Sequence, residues 1–248
     1  MIEVITQTDS DVPLLAILVI VVALIAFFYL MTRLGLIWRQ QKNRATFNLF
    51  LSFTFYFIAI FFVFSTKAID FLTNDLYQVA TIGINLGYAF SLIGNVFLYY
   101  FTENIFFEKR IPYLREIITF GNGITLGFLT VFIVQIQTFP FLEIPGIYIP
   151  PQLLIWHVII SSIGFSVLLI CALKSSLQSE LRYQRAGFLM IAFTAVFELL
   201  VFVFFFVDRF SGAGFTIYYY LAWISASFAG IFAMVGYLLP SWFRRIFA

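Results

Sequence analysis

Seven long apolar segments divide the sequence, and they constrain its fold more than any other feature. A helix that crosses the hydrocarbon core of a bilayer needs about 20 apolar residues, and each segment is close to that length. The connecting stretches are too short and too apolar to hold a soluble domain. We therefore predict one domain, residues 1–248, built as an all-α bundle of seven transmembrane helices. The predicted spans are 14–32, 47–66, 77–101, 117–138, 152–173, 186–207 and 214–239.

The composition agrees with a membrane protein and argues against other classes. Apolar residues make up 62% of the chain and charged residues 10%, whereas soluble domains are about 45–50% apolar and about 25% charged. A net charge of +2 is too small to indicate a nucleic-acid partner, so the lipid bilayer is the predicted surrounding. A transmembrane β-barrel would show alternating stretches of about ten residues, but the apolar segments here are continuous.

The basic residues predict how the helices are oriented. Loops that face the cytoplasm are enriched in lysine and arginine. With seven spans, one side of the membrane receives only Lys67 and Arg209 of the 14 basic residues. We therefore predict an outside N-terminus, a cytoplasmic C-terminus and a multi-pass location in the plasma membrane. The cytoplasmic side receives Arg33, Arg39, Lys42, Arg44, Lys109, Arg110, Arg115, Lys174, Arg182, Arg185, Arg244 and Arg245.

Small residues four positions apart occur in three of the predicted spans. This spacing lets two helix backbones approach closely and gain van der Waals contact. We expect these residues to pack helices within one bundle, although the same spacing also suits a homo-oligomer. The pairs are Gly83 with Gly87, Gly123 with Gly127, and Ala226 with Gly230.

Polar residues inside the spans are the candidates for function, because an ionisable side chain in a membrane interior is energetically unfavourable. At a rise of ~1.5 Å per residue, His157 and Glu198 differ in depth by roughly 7 Å. They could form a hydrogen-bonded pair, or Glu198 could be protonated. The alternative is that such residues only hold helices together, at about 0.6 kcal/mol per contact. The predicted ligand-binding residues, all in the outer half, are Asn85, His157, Glu198, Tyr219 and Trp223.

The end of the second span is marked by two charged residues of opposite sign. Lys67 and Asp70 are three positions apart, a spacing that places side chains on the same face of a helix. We expect them to form a solvated ion pair at the outer rim of the bundle.

The sequence lacks the residues that several membrane enzymes and pigments require. One histidine cannot supply a three-histidine zinc site, nor a pair of histidines for a haem. The last span has no lysine for a retinal Schiff base, and no GxSxG, HExxH or P-loop motif occurs. We therefore predict no enzymatic activity, no metal site and no cofactor.

The whole-chain plan resembles the seven-helix sensor region at the N-terminus of some prokaryotic histidine kinases. The similarity lies in the outside N-terminus, the basic first inner loop, and the stretches "SELRYQRAGFLMIAF" and "LAWISASFAGIFAMVGYLLPSWF". No kinase domain follows here, so the resemblance implies a stand-alone sensor or receptor-like protein. A small or lipophilic ligand would bind an outer-half cavity, and a cytoplasmic signalling partner would receive the output. The predicted docking residues are Arg39, Lys42, Arg44, Arg182 and Arg185.

Two other interpretations remain open. The stretch "PPQ" at 150–152 is similar to the Pro-Gln element of PQ-loop transporters, which also have seven helices, but the first span has no second pair. This likeness implies a small-solute transporter with a polar pathway that reaches both faces. The short loops and small-residue pairs are also compatible with a structural subunit of a membrane complex.

Overall fold

The structure is a computed structural model that describes residues 12–73, 77–107, 113–138, 151–211 and 215–247. Within these ranges the regular structure is helical, and no β-strand occurs. The helices are α1 (Leu14–Gln41), α2 (Arg44–Thr73), α3 (Tyr77–Phe106), α4 (Leu114–Thr138), α5 (Pro151–Gln178), α6 (Arg182–Phe210), α7 (Ile217–Leu238) and α8 (Ser241–Ile246).

Six of these helices, α1 to α3 and α5 to α7, are long and apolar enough to cross a membrane. The chain is therefore a multi-pass helical membrane protein, as the sequence predicts. Helix α4 contains the predicted span 117–138, but it is not among the six candidates in the described part of the chain. Arg115 and Glu116 in its first turn make that end less apolar. The seventh crossing stays a prediction, and residue 214 of the predicted last span lies outside the described residues.

Consecutive helices form antiparallel hairpins. Phe28 packs against Phe57, and Trp38 packs against Phe47, so the late part of α1 meets the early part of α2. The same reversed pairing joins α2 with α3, α5 with α6, and α6 with α7. Helix α1 also packs against α7, and α3 against α5, so six helices close into a ring. Helix α4 lies at the periphery against α3 and α5.

The two ends of the bundle differ in charge. The α1–α2 and α5–α6 links lie at the same end, because the intervening helices alternate in direction. We call this the basic end, and the other is the opposite end. The basic end carries Arg39, Lys42, Arg44, Arg182 and Arg185.

Two of the three predicted small-residue pairs pack helices within the bundle. A Cβ atom at Gly83 would overlap Thr66 of α2, and one at Gly87 would lie 3.1 Å from the Ala59 carbonyl oxygen. In α7, Gly230 lies against α1. Only glycine allows the α2 and α3 backbones to approach this closely.

The packing prediction is wrong for the pair in α4. A Cβ atom at Gly123 or Gly127 would meet no described atom within 4 Å. Both glycines lie on an outward face of the helix, close to Phe120 and Phe128, which are 71% and 58% exposed. The described helices cover the other side of α4, so these glycines make no close contact with any described helix.

The second helix continues to Thr73, past the predicted end at residue 66. Lys67 lies 3.8 Å from Asp70, so the expected ion pair is present. The pair is not solvated, however, because the lysine is only 6% exposed. Its ammonium group lies 5.0 Å from the ring centre of Phe215, just before α7. This contact between α2 and the start of α7 explains the burial.

Candidate functional site

Six buried or partly buried polar side chains from four helices come together inside the bundle, and we call them the polar core. Helices α3 and α5 each supply two residues four positions apart, which places both on one face of their helix. Because α3 and α5 run in the same direction, these residues pair in two layers. The polar core consists of Tyr56 on α2, Ser91 and Asn95 on α3, His157 and Ser161 on α5, and Glu198 on α6.

The layer nearer the basic end is a short chain of hydrogen bonds. The Tyr56 hydroxyl donates to Asn95 Oδ1 at 2.5 Å, and Asn95 Nδ2 donates to Ser161 Oγ at 2.7 Å. All three side chains are buried. These bonds connect α2, α3 and α5, so a substitution at Asn95 would alter the contacts of three helices.

The layer nearer the opposite end is built around His157, which is 2% exposed. Its Nε2 atom lies 3.5 Å from Ser91 Oγ, at the limit of a hydrogen bond. The ring lies between two aromatic side chains, with centroid distances of 5.0 Å to Tyr88 and 5.3 Å to Phe202. Its Nδ1 atom is buried and has no hydrogen-bond partner among the described residues.

Glu198 lies on α6, one turn from Phe202, and is 7% exposed. Its carboxyl group makes no hydrogen bond or ion pair with the described part of the chain. It lies within electrostatic range of Tyr56 and of Tyr237 on α7. The Tyr237 hydroxyl is buried and likewise finds no hydrogen-bond partner there. Such unbonded groups are rare, since buried polar atoms are almost always hydrogen-bonded.

The hydrogen-bonded pair of His157 and Glu198, one of the two alternatives left by the sequence, does not occur. The histidine ring is directed at Ser91 and packs against Phe202. Phe202 is one turn away from Glu198 on the same helix, and its ring lies at the contact between α5 and α6. The two ionisable groups therefore share a neighbour without touching through a hydrogen bond.

The other three predicted site residues are also buried. Tyr219 and Trp223 pack around Phe205 of α6. The tyrosine hydroxyl and the indole N–H are close enough to interact, although their geometry is not that of a hydrogen bond. Asn85 is fully buried on α3. No described hydrogen bond links Tyr219 or Trp223 to the polar core.

Four members of the polar core were not among the predicted site residues. Three of them could have been found, because Ser91 with Asn95, and Ser161 with the predicted His157, repeat the same spacing of four in two spans. Tyr56 has no comparable signal, since the chain contains 13 tyrosines.

The predicted docking residues all lie at the surface of the basic end, where each is exposed. Lys42 lies over the Trp38 ring at 5.3 Å. Arg185 donates from Nη2 to the Ser179 carbonyl oxygen at 3.3 Å. These positions leave the charged groups available to a partner.

The polar core itself is closely packed. Ser161 and Asn95 are 0% and 4% exposed, so a ligand there would have to displace existing contacts. A shallow cavity of about 480 Å³ lies instead at the basic end, beside the α5–α6 link. Its lining residues are Ser175, Gln178, Ser179, Glu180, Leu181, Gln184 and Phe188.

Metal-binding side chains are not grouped within the described ranges: no three His, Cys, Asp or Glu residues are placed to hold one ion. Comparison with known proteins gives no assignment either, because no family model, curated protein or solved structure shows significant similarity to this chain.

Proposed function

We propose that this chain is a seven-helix sensor or receptor-like protein of the plasma membrane. It binds a small or lipophilic ligand inside the bundle and signals through a cytoplasmic or membrane partner. The supporting observations are the buried carboxyl side chain of Glu198 and two buried polar atoms without a hydrogen-bond partner among the described residues, His157 Nδ1 and the Tyr237 hydroxyl oxygen. An intramembrane ionisable residue marks a functional site by default, and a ligand would supply the partners that these groups lack.

Ligand binding at the polar core would change the hydrogen bonds between helices and so shift their packing. Asn95 holds α2 and α5 through its two hydrogen bonds, and Glu198 lies within electrostatic range of Tyr56. We propose that a ligand bonded to Glu198 extends to Tyr56 and competes with Asn95 for its hydroxyl. Loss of that bond would let α2 shift against α3. The α1–α2 link and the first residue of α2 carry Lys42 and Arg44, two of the proposed docking residues.

The proposal includes seven crossings, with the N-terminus outside and the basic end in the cytoplasm. The positive-inside rule supports this orientation. A single-cysteine labelling experiment tests the count, in a Cys171→Ser background. With seven crossings, Tyr113→Cys at the start of α4 and Ser179→Cys after α5 lie on the same side. If α4 does not cross the membrane, only α5 crosses between the two positions, and they lie on opposite sides.

We expect both cysteines to react with a membrane-impermeant maleimide only after cells are permeabilised. Ser211→Cys, at the end of α6, should react in intact cells and serves as the matched control. Opposite accessibility of positions 113 and 179 would contradict the seven-crossing count. Labelling of position 211 only after permeabilisation would contradict the orientation.

The function itself is tested by a stabilisation screen with a panel of small lipophilic compounds. A ligand present at 100 times its Kd stabilises the folded state by about 2.7 kcal/mol, which corresponds to a rise in Tm of roughly 5–10 °C for a chain of this size. We expect at least one compound to give such a rise for the purified protein. If no compound from a chemically broad panel shifts the Tm, the ligand-binding proposal is contradicted.

A small-solute transporter is the second candidate, and one observation favours it. Polar residues continue along α3 from the polar core towards the basic end at steps of four: the partly buried Ser91 and the buried Asn95, Tyr99 and Glu103. Glu103 lies 3.8 Å from Arg115 of α4. Such a row is what a transport pathway would need. In proteoliposomes, uptake of a stabilising compound into the lumen would favour transport, whereas binding without uptake would favour sensing.

A further inference from the structure

Helix α8 is a short segment separated from α7 by a sharp turn. Leu239 adopts a left-handed conformation, with φ 42°, and Pro240 follows it. Proline cannot donate a backbone hydrogen bond, so it prevents α7 from continuing. The chain after the turn is redirected and packs against α6.

One aromatic residue attaches α8 to the bundle. Phe243 is 4% exposed and packs in a small cluster with Ala186 of α6 and Val235 of α7. The flanking apolar side chains remain outside, with Trp242 52% exposed and Ile246 68% exposed. Exposed tryptophan next to arginine is typical of a segment at the membrane–water interface.

The start of α6, where Ala186 packs with Phe243, carries two more arginines. Arg182 is four positions before Ala186, so it lies on the α6 face that Phe243 covers. Arg185 immediately precedes Ala186 in the chain. Both arginines are exposed, as are Arg244 and Arg245 on α8. We call these four side chains the arginine patch.

Little negative charge opposes the arginine patch. None of its four guanidinium groups forms an ion pair with a described carboxylate. In the sequence, residues 174–191 contain one acidic residue, Glu180, and residues 239–248 contain none. A concentration of unneutralised arginines next to exposed aromatic residues is complementary to a layer of anionic headgroups.

We propose that the arginine patch binds the headgroups of anionic phospholipids. Guanidinium groups donate pairs of hydrogen bonds that match phosphate oxygens, while Trp242 and Ile246 insert between the acyl chains at the boundary. Bound lipid would hold α8 and the first turn of α6 at the membrane surface. This inference does not depend on what the polar core binds, and it assigns Arg182 and Arg185 to lipid, which leaves Arg39, Lys42 and Arg44 for a partner.

Native mass spectrometry of the purified full chain tests the proposal with phosphatidylglycerol and phosphatidylcholine of equal chain length. Since each cationic residue near an anionic surface contributes about 1 kcal/mol, the variant Arg244→Gln/Arg245→Gln should lose about tenfold or more in phosphatidylglycerol affinity. Its phosphatidylcholine affinity should change by less than about twofold. The variant Arg244→Lys/Arg245→Lys keeps the charge but loses the paired guanidinium hydrogen bonds, so its affinity should lie between those of the unaltered chain and the glutamine variant.

The matched control is Arg33→Gln/Arg39→Gln, which removes the same charge from exposed positions of α1. We expect this control to retain phosphatidylglycerol. An equal loss in the control would overturn the proposal, because it would show that only the total charge matters. Full retention in Arg244→Gln/Arg245→Gln would overturn it as well, and so would a loss in the lysine variant as large as in the glutamine variant.

Discussion

Replacing Gly236 with leucine should destabilise the bundle more than a substitution at any solvent- or lipid-facing glycine. A Cβ atom at this position would lie 2.9 Å from the Ile191 backbone nitrogen and 3.0 Å from the Gly187 carbonyl oxygen. These are backbone atoms, so no side-chain rotation can relieve the overlap. Helices α6 and α7 would have to separate. Overpacking of this kind typically costs about 1–3 kcal/mol and occasionally more, and we expect about 3 kcal/mol here.

Thermal unfolding of the purified protein measures the effect. At about 2–4 °C per kcal/mol for chains of this size, Gly236→Leu should lower the Tm by roughly 6–12 °C. Gly127→Leu is the matched control, because a Cβ atom there has no described neighbour within 4 Å; its Tm should stay close to that of the unaltered chain. An unchanged Tm for Gly236→Leu would mean that α6 and α7 are not in backbone contact. A large drop for Gly127→Leu would mean that α4 packs on its glycine face.

The helices were predictable because lipid imposes one simple requirement. A segment must be apolar and about 20 residues long to cross the membrane, and hydropathy reports both properties directly. The helix ends were less predictable, because a charge was taken as the edge of the membrane. Lys67 shows why this fails: a lysine can lie inside a helix and be buried when Asp70 and Phe215 are beside it. Such partners come from the fold and are not visible in a hydropathy profile.

Some residues of the polar core were predictable from the sequence and others were not. His157 and Glu198 stood out, because each is the one residue of its kind in an apolar span. Their partners did not stand out, since serine, asparagine and tyrosine are common in membrane helices. Which helix face meets which neighbour decides whether Asn95 bonds to Tyr56 or faces lipid. The same limitation applies to the glycine pairs, where equal spacing gave packing in α3 but an outward face in α4.

Glu198→Gln should weaken ligand binding strongly while leaving the fold intact, if the ligand binds at the polar core. Glutamine has nearly the same shape as glutamate, and the Glu198 carboxyl group makes no hydrogen bond or ion pair with the described residues. The substitution therefore removes no described contact, and the Tm without ligand should change by less than about 3 °C, or about 1 kcal/mol. A hydrogen bond to a charged group contributes about 1.5–3 kcal/mol, so the affinity for a stabilising compound should fall by roughly tenfold to 100-fold.

Thermal-shift titration with such a compound measures both the Tm without ligand and the affinity for the compound. Glu180→Gln is the control. Glu180 is exposed at the basic end, so its substitution removes a carboxylate without touching the polar core and should leave the affinity unchanged. The opposite pattern, a clear loss of stability in Glu198→Gln with unchanged affinity, would mean that this residue holds helices together and that the ligand binds elsewhere. The two interpretations of Glu198 differ in this pattern because a binding residue acts on the bound state, whereas an interhelical contact acts on the folded state whether or not ligand is present.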